Sequence, residues 1–316
     1  MAASYRTIDY RVRPAKFAER LMMCDAIRRI KFASPESYQY VGLGSVYFSD
    51  FALFHKALGI ESMISIERQV NDKQRFLDNL PSAAIKMQWG DTKTELPNID
   101  LSLRSIVWLD YDGRLDRDVL DDVRSIATRA TSGSVLAISV QCVPERPPEK
   151  QPPITMAMWL ADQLGENRVD KNVKDADLLG WGTAGLFRSI ILNEIAETLT
   201  ARNGTLPTGQ KVNFEQIFNF HYRDGAHMLT VGGVFFDSGQ RQLFDQSAFT
   251  ELPFVKRDEE PFTIEMPLLT SRELRSLERQ LPLLGNSVVL GAMPKRDAEA
   301  YVKIYRYFPN FSHVEL

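Results

Sequence analysis

Cysteine and histidine are scarce, with two and four copies in 316 residues. Cys24 and Cys142 are too few for a disulfide framework and show no metal-ligand spacing, which fits a reducing compartment. No apolar run is long enough to span a bilayer. The opening MAASYRTIDYRVRP has no apolar centre of the kind a signal peptide needs. The expectation is a cytoplasmic protein without membrane contact. The net charge is only −3, so contact with nucleic acid would require a local basic patch. Internal repeats and low-complexity tracts are absent as well. What remains is an ordinary globular composition, 44% hydrophobic and 25% charged, enough for one large core or a core plus a smaller lobe.

Residues 14–31 predict a helix with Pro14 in its first turn. Phe17, Leu21, Cys24, Ile27 and Ile30 are spaced along one face. Its surroundings are basic: Arg6, Arg11, Arg13, Lys16, Arg20, Arg28, Arg29 and Lys31 outnumber Asp9, Glu19 and Asp25. This N-terminal segment, 1–37, reads either as a packed helix with a solvated charged face or as a lid or partner surface that meets an anion. An alternation follows. Strands are expected at 38–43, 62–67, 84–89, 105–111 and 134–141, and helices at 49–58 (closed by Gly59), 71–80 and 116–130. Continuous apolar strands joined by short links predict a doubly wound α/β domain with a mostly parallel sheet. The proline-rich loop 144–153 opens a helical insertion that reaches about residue 211. Two β-patterned runs then flank Arg223-Asp224-Gly225, so the domain, 38–237, ends in an antiparallel hairpin. Residues 238–316, with helices at 271–280 and 295–306, read as an extension or small lobe.

The segment YVGLGS places Gly42 and Gly44 between a strand and a helix, where a backbone approaches a nucleotide-type ligand closely. A ribose partner is expected as an acidic residue closing the next strand, and Glu67 stands there. The dehydrogenase fingerprint needs a third glycine where Tyr47 lies, so it fails. Together, YVGLGS, ISIE, MQWGD, VWLDYDG and the late hairpin resemble the motif series of class I S-adenosylmethionine-dependent methyltransferases over about residues 38–237. The resemblance implies S-adenosylmethionine as cofactor. Gly42, Gly44 and Ser45 would line its methionine part at the Tyr40 strand end, and Glu67 would bind the ribose hydroxyls. Trp89 to Asp91 would border the adenine, and Asp110 would sit beside the transferred methyl. Arg13 and Lys16 are placed to fold over the cofactor's carboxylate. Two positions depart from the family pattern: Tyr40 replaces an acidic residue and Val46 a third glycine.

Strand alternation points Asp110 and Asp112 to one side, as groups that orient a methyl acceptor or take its proton. The alternatives are a cap on the helix beginning near Asp116, or pairing with Arg114 or Arg117. Asp110-Tyr111-Asp112-Gly113 lacks the prolines of amino-methylating nucleic-acid enzymes, which disfavours base methylation. Asp-x-Asp resembles cation-dependent O-methyltransferases, but Gln141-Cys142-Val143 supplies no further oxygen ligands. The expectation is an O-directed methyltransferase for a small molecule or protein group, without a catalytic metal. His221 and His227 read as strand residues rather than a metal clip, and His55 as a surface or packing residue. A second reading keeps the fold as a binding or assembly module that has lost its chemistry. Trp159, Trp181, Phe187, Phe254 and Phe308 would then be anchors for a protein partner or a second copy.

Overall fold

The computed structural model describes residues 13–149, 153–283 and 288–309. Five strands lie parallel: β1 (Gln39–Leu43), β2 (Ser62–Glu67), β3 (Ile85–Trp89), β4 (Ser105–Arg114) and β5 (Val135–Gln141). The hairpin β6 (Val212–Asp224) and β7 (Ala226–Asp237) follows, with β7 antiparallel to β5. A three-residue strand, β8 (Phe262–Ile264), pairs parallel with β6 at the edge. The order is β3-β2-β1-β4-β5-β7-β6-β8, a doubly wound, mostly parallel sheet ending in a reversed pair. The helices are α1 (Pro14–Arg29), α2 (Ser49–Leu58), α3 (Lys73–Asp78), α4 (Thr92–Glu95), α5 (Arg117–Arg129), α6 (Met156–Leu164), α7 (Gly182–Asn203), α8 (Arg241–Gln246), α9 (Ser271–Glu278) and α10 (Lys295–Ile304).

Because successive side chains on a strand point to opposite faces, neighbours divide between two cores. Tyr40, Trp108 and Ala137 pack with α1, α2, α3 and α8. Val41, Val107, Leu136 and Ile138 pack with α5 and α7. Both faces are therefore apolar, which is why the strands read as unbroken hydrophobic runs. Short-range chemistry fixes the element ends. Gly59, at φ +70°, closes α2, and the side chain of Asp116 accepts the Val119 amide at 2.9 Å to cap α5. The hairpin turns at Gly225, φ +87°.

Several elements differ from the sequence pattern. The expected helix at 71–80 is a 3₁₀ turn, Val70–Asp72, followed by a six-residue helix. β4 runs three residues past Tyr111, with a register shift against β5, so Asp112 lies within a strand extension and not at a strand end. The largest difference is in α1. Lys16 and Glu19 are fully buried and Arg20 is 4% exposed, while Phe17 is 36% exposed. The sheet beneath offers Lys16 polar partners, whereas Arg20 Nε finds none among the described residues. Through β8, residues 262–264 belong to the main sheet. α9 and α10 build a small cluster of their own around Leu277, Ala298 and Tyr301. Arg6, Asp9 and Arg11 lie outside the described residues, as does 150–152 of the proline-rich loop.

Candidate functional site

The site assembles at the carboxyl ends of β1, β2 and β4, where open α/β sheets take their ligands. Both loop glycines are required by close approach. A Cβ on Gly42 would lie 2.7 Å from the Tyr40 hydroxyl, and one on Gly44 would lie 2.2 Å from Ser65 Oγ. The Gly44 amide donates to the Ile66 carbonyl at 3.1 Å, tying the loop to β2. Ser45 Oγ accepts the Tyr47 amide at 3.3 Å. Phe48, which leads into α2, has φ +42°, a strained conformation for a bulky residue.

Tyr40 is fully buried. Its ring meets Phe51 and Phe54 edge-on at 4.8 and 5.0 Å, and its hydroxyl donates to Asp50 in the first turn of α2. So an acid does reach this end of β1, but from the helix. Val46, 5% exposed, joins the same core.

Glu67 closes β2 at 7% exposure. Its Oε1 accepts the Gln69 amide at 2.7 Å. Burial pushes its pKa up to about 7, with Asp112 adding to the rise and nearby amides and Arg68 opposing it. Trp89, half-buried, meets Phe76 edge-on at 5.9 Å, and the Lys73 ammonium lies 5.2 Å from its ring. The exposed Asp91 stands at the start of α4, where its carbonyl accepts the amides of Thr94 and Glu95 at 3.0 Å.

Asp110 is where α1 enters the site. The Lys16 ammonium donates to Asp110 Oδ1 at 2.7 Å, to the Tyr222 hydroxyl at 2.9 Å and to Ser139 Oγ at 3.4 Å. It lies 2.8 Å from Glu19 Oε2 and 4.4 Å from the centre of the Trp108 ring. A fully buried cation is tolerable only with such a set of partners. Burial, against the pull of Lys16, raises the pKa of Glu19. α1 is seated by the hairpin tip, where Asp224 accepts the Lys16 amide at 2.9 Å and Arg13 Nε lies 3.8 Å away. The Asp110 side chain is 24% exposed, and Asp112, two residues on, is exposed. Tyr111 points the other way and donates to Asp122 at 2.6 Å. The register shift after Asp110 breaks the simple alternation on which a shared side for Asp110 and Asp112 was expected, and the cap of α5 is Asp116.

The family model described as "Putative O-methyltransferase" matches residues 8–316. The chain belongs to this family. No curated protein matches it. Among solved structures, Trm1 from Pyrococcus horikoshii with S-adenosyl-L-methionine is 9% identical, at 79% of this chain and 64% of that one, TM-score 0.47. The mitomycin 7-O-methyltransferase MmcR is 15% identical, at 67% and 53%, TM-score 0.34. The O-methyltransferase TomG from Streptomyces achromogenes, in complex with SAM, is 12% identical, at 73% and 93%, TM-score 0.37. The chain therefore spans about two thirds and half of the first two structures. These likenesses are too distant to assign a substrate.

The residues fit the cofactor implied for this O-methyltransferase family member. Glu67 is a buried acceptor at the β2 end with one amide on Oε1. Arg20 is a nearly buried guanidinium whose Nε has no hydrogen-bond partner among the described residues. A diol and an anion are what these two groups lack. Lys16, expected over the cofactor's carboxylate, has its ammonium committed to Asp110, Glu19 and Tyr222. Glu19, Arg20, Asp50 and Tyr222 were not read from the sequence as site residues. The available signal was the spacing 16, 19, 20, which places three charges on one helix face.

The other candidates have structural partners. His221 and His227 stack on Trp181 at 4.7 and 4.4 Å between ring centres, on the far face of the sheet. Burial, then the charge of His227, lowers the pKa of His221 to about 4. Among the described residues no group of three His, Cys, Asp or Glu side chains is placed to hold a metal ion. The ring nitrogens of His55 meet the Ile60 carbonyl at 2.8 Å and Ser82 Oγ at 3.3 Å. Phe187 and Phe254 are core residues, and Phe308 packs edge-on to Tyr301. Arg28 pairs with Asp25 and Arg29 with Glu251, so the basic end of α1 has local acidic partners. No described helix is long and apolar enough to cross a membrane.

Proposed function

We propose that the protein transfers a methyl group from S-adenosylmethionine to an oxygen of a small molecule or protein group, without a catalytic metal. The observation that carries this is Asp110: one oxygen is fixed by the buried Lys16, and the side chain is still partly open at the end of β4. When bound, the cofactor supplies an electrophilic methyl group on a sulfonium. Gly42, Gly44 and Ser45 border its methionine part, Glu67 accepts from the ribose hydroxyls, and Trp89 and Asp91 flank the adenine. Asp110 orients the acceptor hydroxyl and takes its proton as the carbon–oxygen bond forms, and Asp112 lines the outer rim. Lys16, itself held by Tyr222 and Glu19, fixes Asp110 in place. Nucleic-acid bases are disfavoured as acceptors because the Asp110 segment lacks the prolines of amino-methylating nucleic-acid enzymes. No metal is given a part because Gln141-Cys142-Val143, after β5, offers no carboxylate.

A second reading, a fold kept for binding or assembly with a protein partner or a second copy, draws on the same ion pair, since Lys16 already occupies one oxygen of Asp110. Calorimetric titration with S-adenosylmethionine and S-adenosylhomocysteine, with labelled-methyl transfer to a panel of hydroxyl acceptors, separates the readings. Binding of both ligands is expected. Asp110→Asn should lower transfer by about a hundred- to ten-thousand-fold while S-adenosylhomocysteine still binds. Absence of binding to either ligand would end the proposal, and binding without transfer to any acceptor would favour the second reading.

A further inference from the structure

Arg20 is a buried cation, 4% exposed, whose Nε finds no hydrogen-bond partner among the described residues. No ion pair within the described chain neutralises it. Lys16, one turn earlier on the same face of α1, is surrounded by Asp110, Glu19, Tyr222 and Ser139. A buried guanidinium with an unsatisfied N–H and no close ion pair is costly enough that a ligand is a natural counter-group. The difference between the two cations therefore points to a ligand at Arg20.

The position narrows the choice of ligand. The Tyr40 hydroxyl lies 2.7 Å from where a Gly42 Cβ would be, and it donates to the Asp50 carboxylate. The Arg20 charge acts on both of these groups, so the guanidinium belongs to the same locus as the glycine loop. It does not close an ion pair with Asp50. A guanidinium and a carboxyl group with no ion pair between them thus share the neighbourhood of the loop where the methionine part of the cofactor is placed. The carboxyl is held by Tyr40, and its burial pushes its pKa up against the opposing pull of Arg20.

We infer that Arg20 and Asp50 form a subsite for an α-amino-acid zwitterion, with Arg20 binding the carboxylate of the cofactor's methionine end and Asp50 its ammonium. The planar guanidinium suits a carboxylate through paired N–H donors. The start of α2, from which Asp50 projects, also favours the ligand's negative end. This moves the carboxylate contact from Arg13 and Lys16, where the sequence placed it, one turn along α1. It also gives Tyr40 a part: it takes the strand position of the family's acid and holds the replacement acid by its hydroxyl. The inference rests on the proposed cofactor.

The test compares two ligands that differ only at the amino-acid end, S-adenosylhomocysteine and 5′-methylthioadenosine, by calorimetry on the full chain. Wild type should bind both. Arg20→Met should weaken S-adenosylhomocysteine by about ten- to a hundred-fold and leave 5′-methylthioadenosine within about threefold. Arg20→Lys, which keeps the charge but not the fork, should fall between and serves if the methionine variant unfolds on melting. Asp50→Asn should shift the same ratio in the same direction. If wild type binds neither ligand, the cofactor reading itself fails. If wild type binds both and the ratio is unchanged in Arg20→Met or Arg20→Lys, the subsite is overturned and the cofactor reading stands.

Discussion

Glu67 carries a penalty that its ligand would relieve. At 7% exposure its pKa is raised from the ordinary 4.5 to about 7, so the folded protein holds a proton that the unfolded chain releases in that window. The associated stability is fully present below about pH 4.5 and is lost as pH rises through 7, by at most roughly 3 kcal/mol. Glu67→Gln should therefore melt with wild type at pH 4.5 and above it at pH 8, while binding S-adenosylhomocysteine more weakly. Ribose hydroxyls are donors and favour the ionised carboxylate. Between pH 4.5 and 7 binding should release a proton and tighten as pH rises, which calorimetry in buffers of different ionisation heat reads directly. Equal affinity at pH 5 and pH 7.5 would count against Glu67 as the ribose contact. The residue was legible because period-two alternation and its spacing from the glycine loop fix it without tertiary information. Asp50 was not, since an acid in a first helical turn reads equally well as a partner of the helix dipole.

At the scale of elements, α1 and the hairpin carry the site between them. Lys16→Met would leave Asp110 and Glu19 facing each other with no cation, and should cost about 3–5 kcal/mol in denaturant melts. Adding Glu19→Gln should recover part of that loss, since it removes one stranded carboxylate, and purely additive effects would show that the pair is not coupled. β7 is held against β5 by backbone contact that only glycine allows. A Cβ on Gly232 would lie 2.5 Å from the Leu136 carbonyl oxygen. Gly232→Ala should cost about 1–3 kcal/mol, measured by thermal unfolding. α1 was legible as a helix from Pro14 and the apolar spacing, but its inward face was not. Periodicity says which residues share a face; it does not say that a sheet will present Tyr222, Ser139 and Asp110 to charged ones.

Across the whole molecule, the sheet and its two cores form the main body, with α1 and β8 built into it. α9 depends on a separate cluster in which Leu277, Ala298 and Tyr301 are the buried members, while α10 also reaches the main core through Ile304. So small a core implies local opening at lower free energy than the sheet. Amides of 271–278 should exchange with deuterium well before those of β1, β4 and β5, and uniform protection would contradict this. The three residues of β8 escaped the sequence because so short a run carries no measurable alternation.

The amino-acid sequence alone determined the alternating strands and helices, the reversed hairpin, the glycine loop and Glu67. These rest on side-chain period, turn chemistry and fixed spacings along the chain, all of which are local. The tertiary structure decided which charges are buried and what they meet. Lys16 on Asp110 and Tyr40 on Asp50 join residues up to 94 positions apart, and the cost of burying charge makes such partners necessary without revealing in advance which they are.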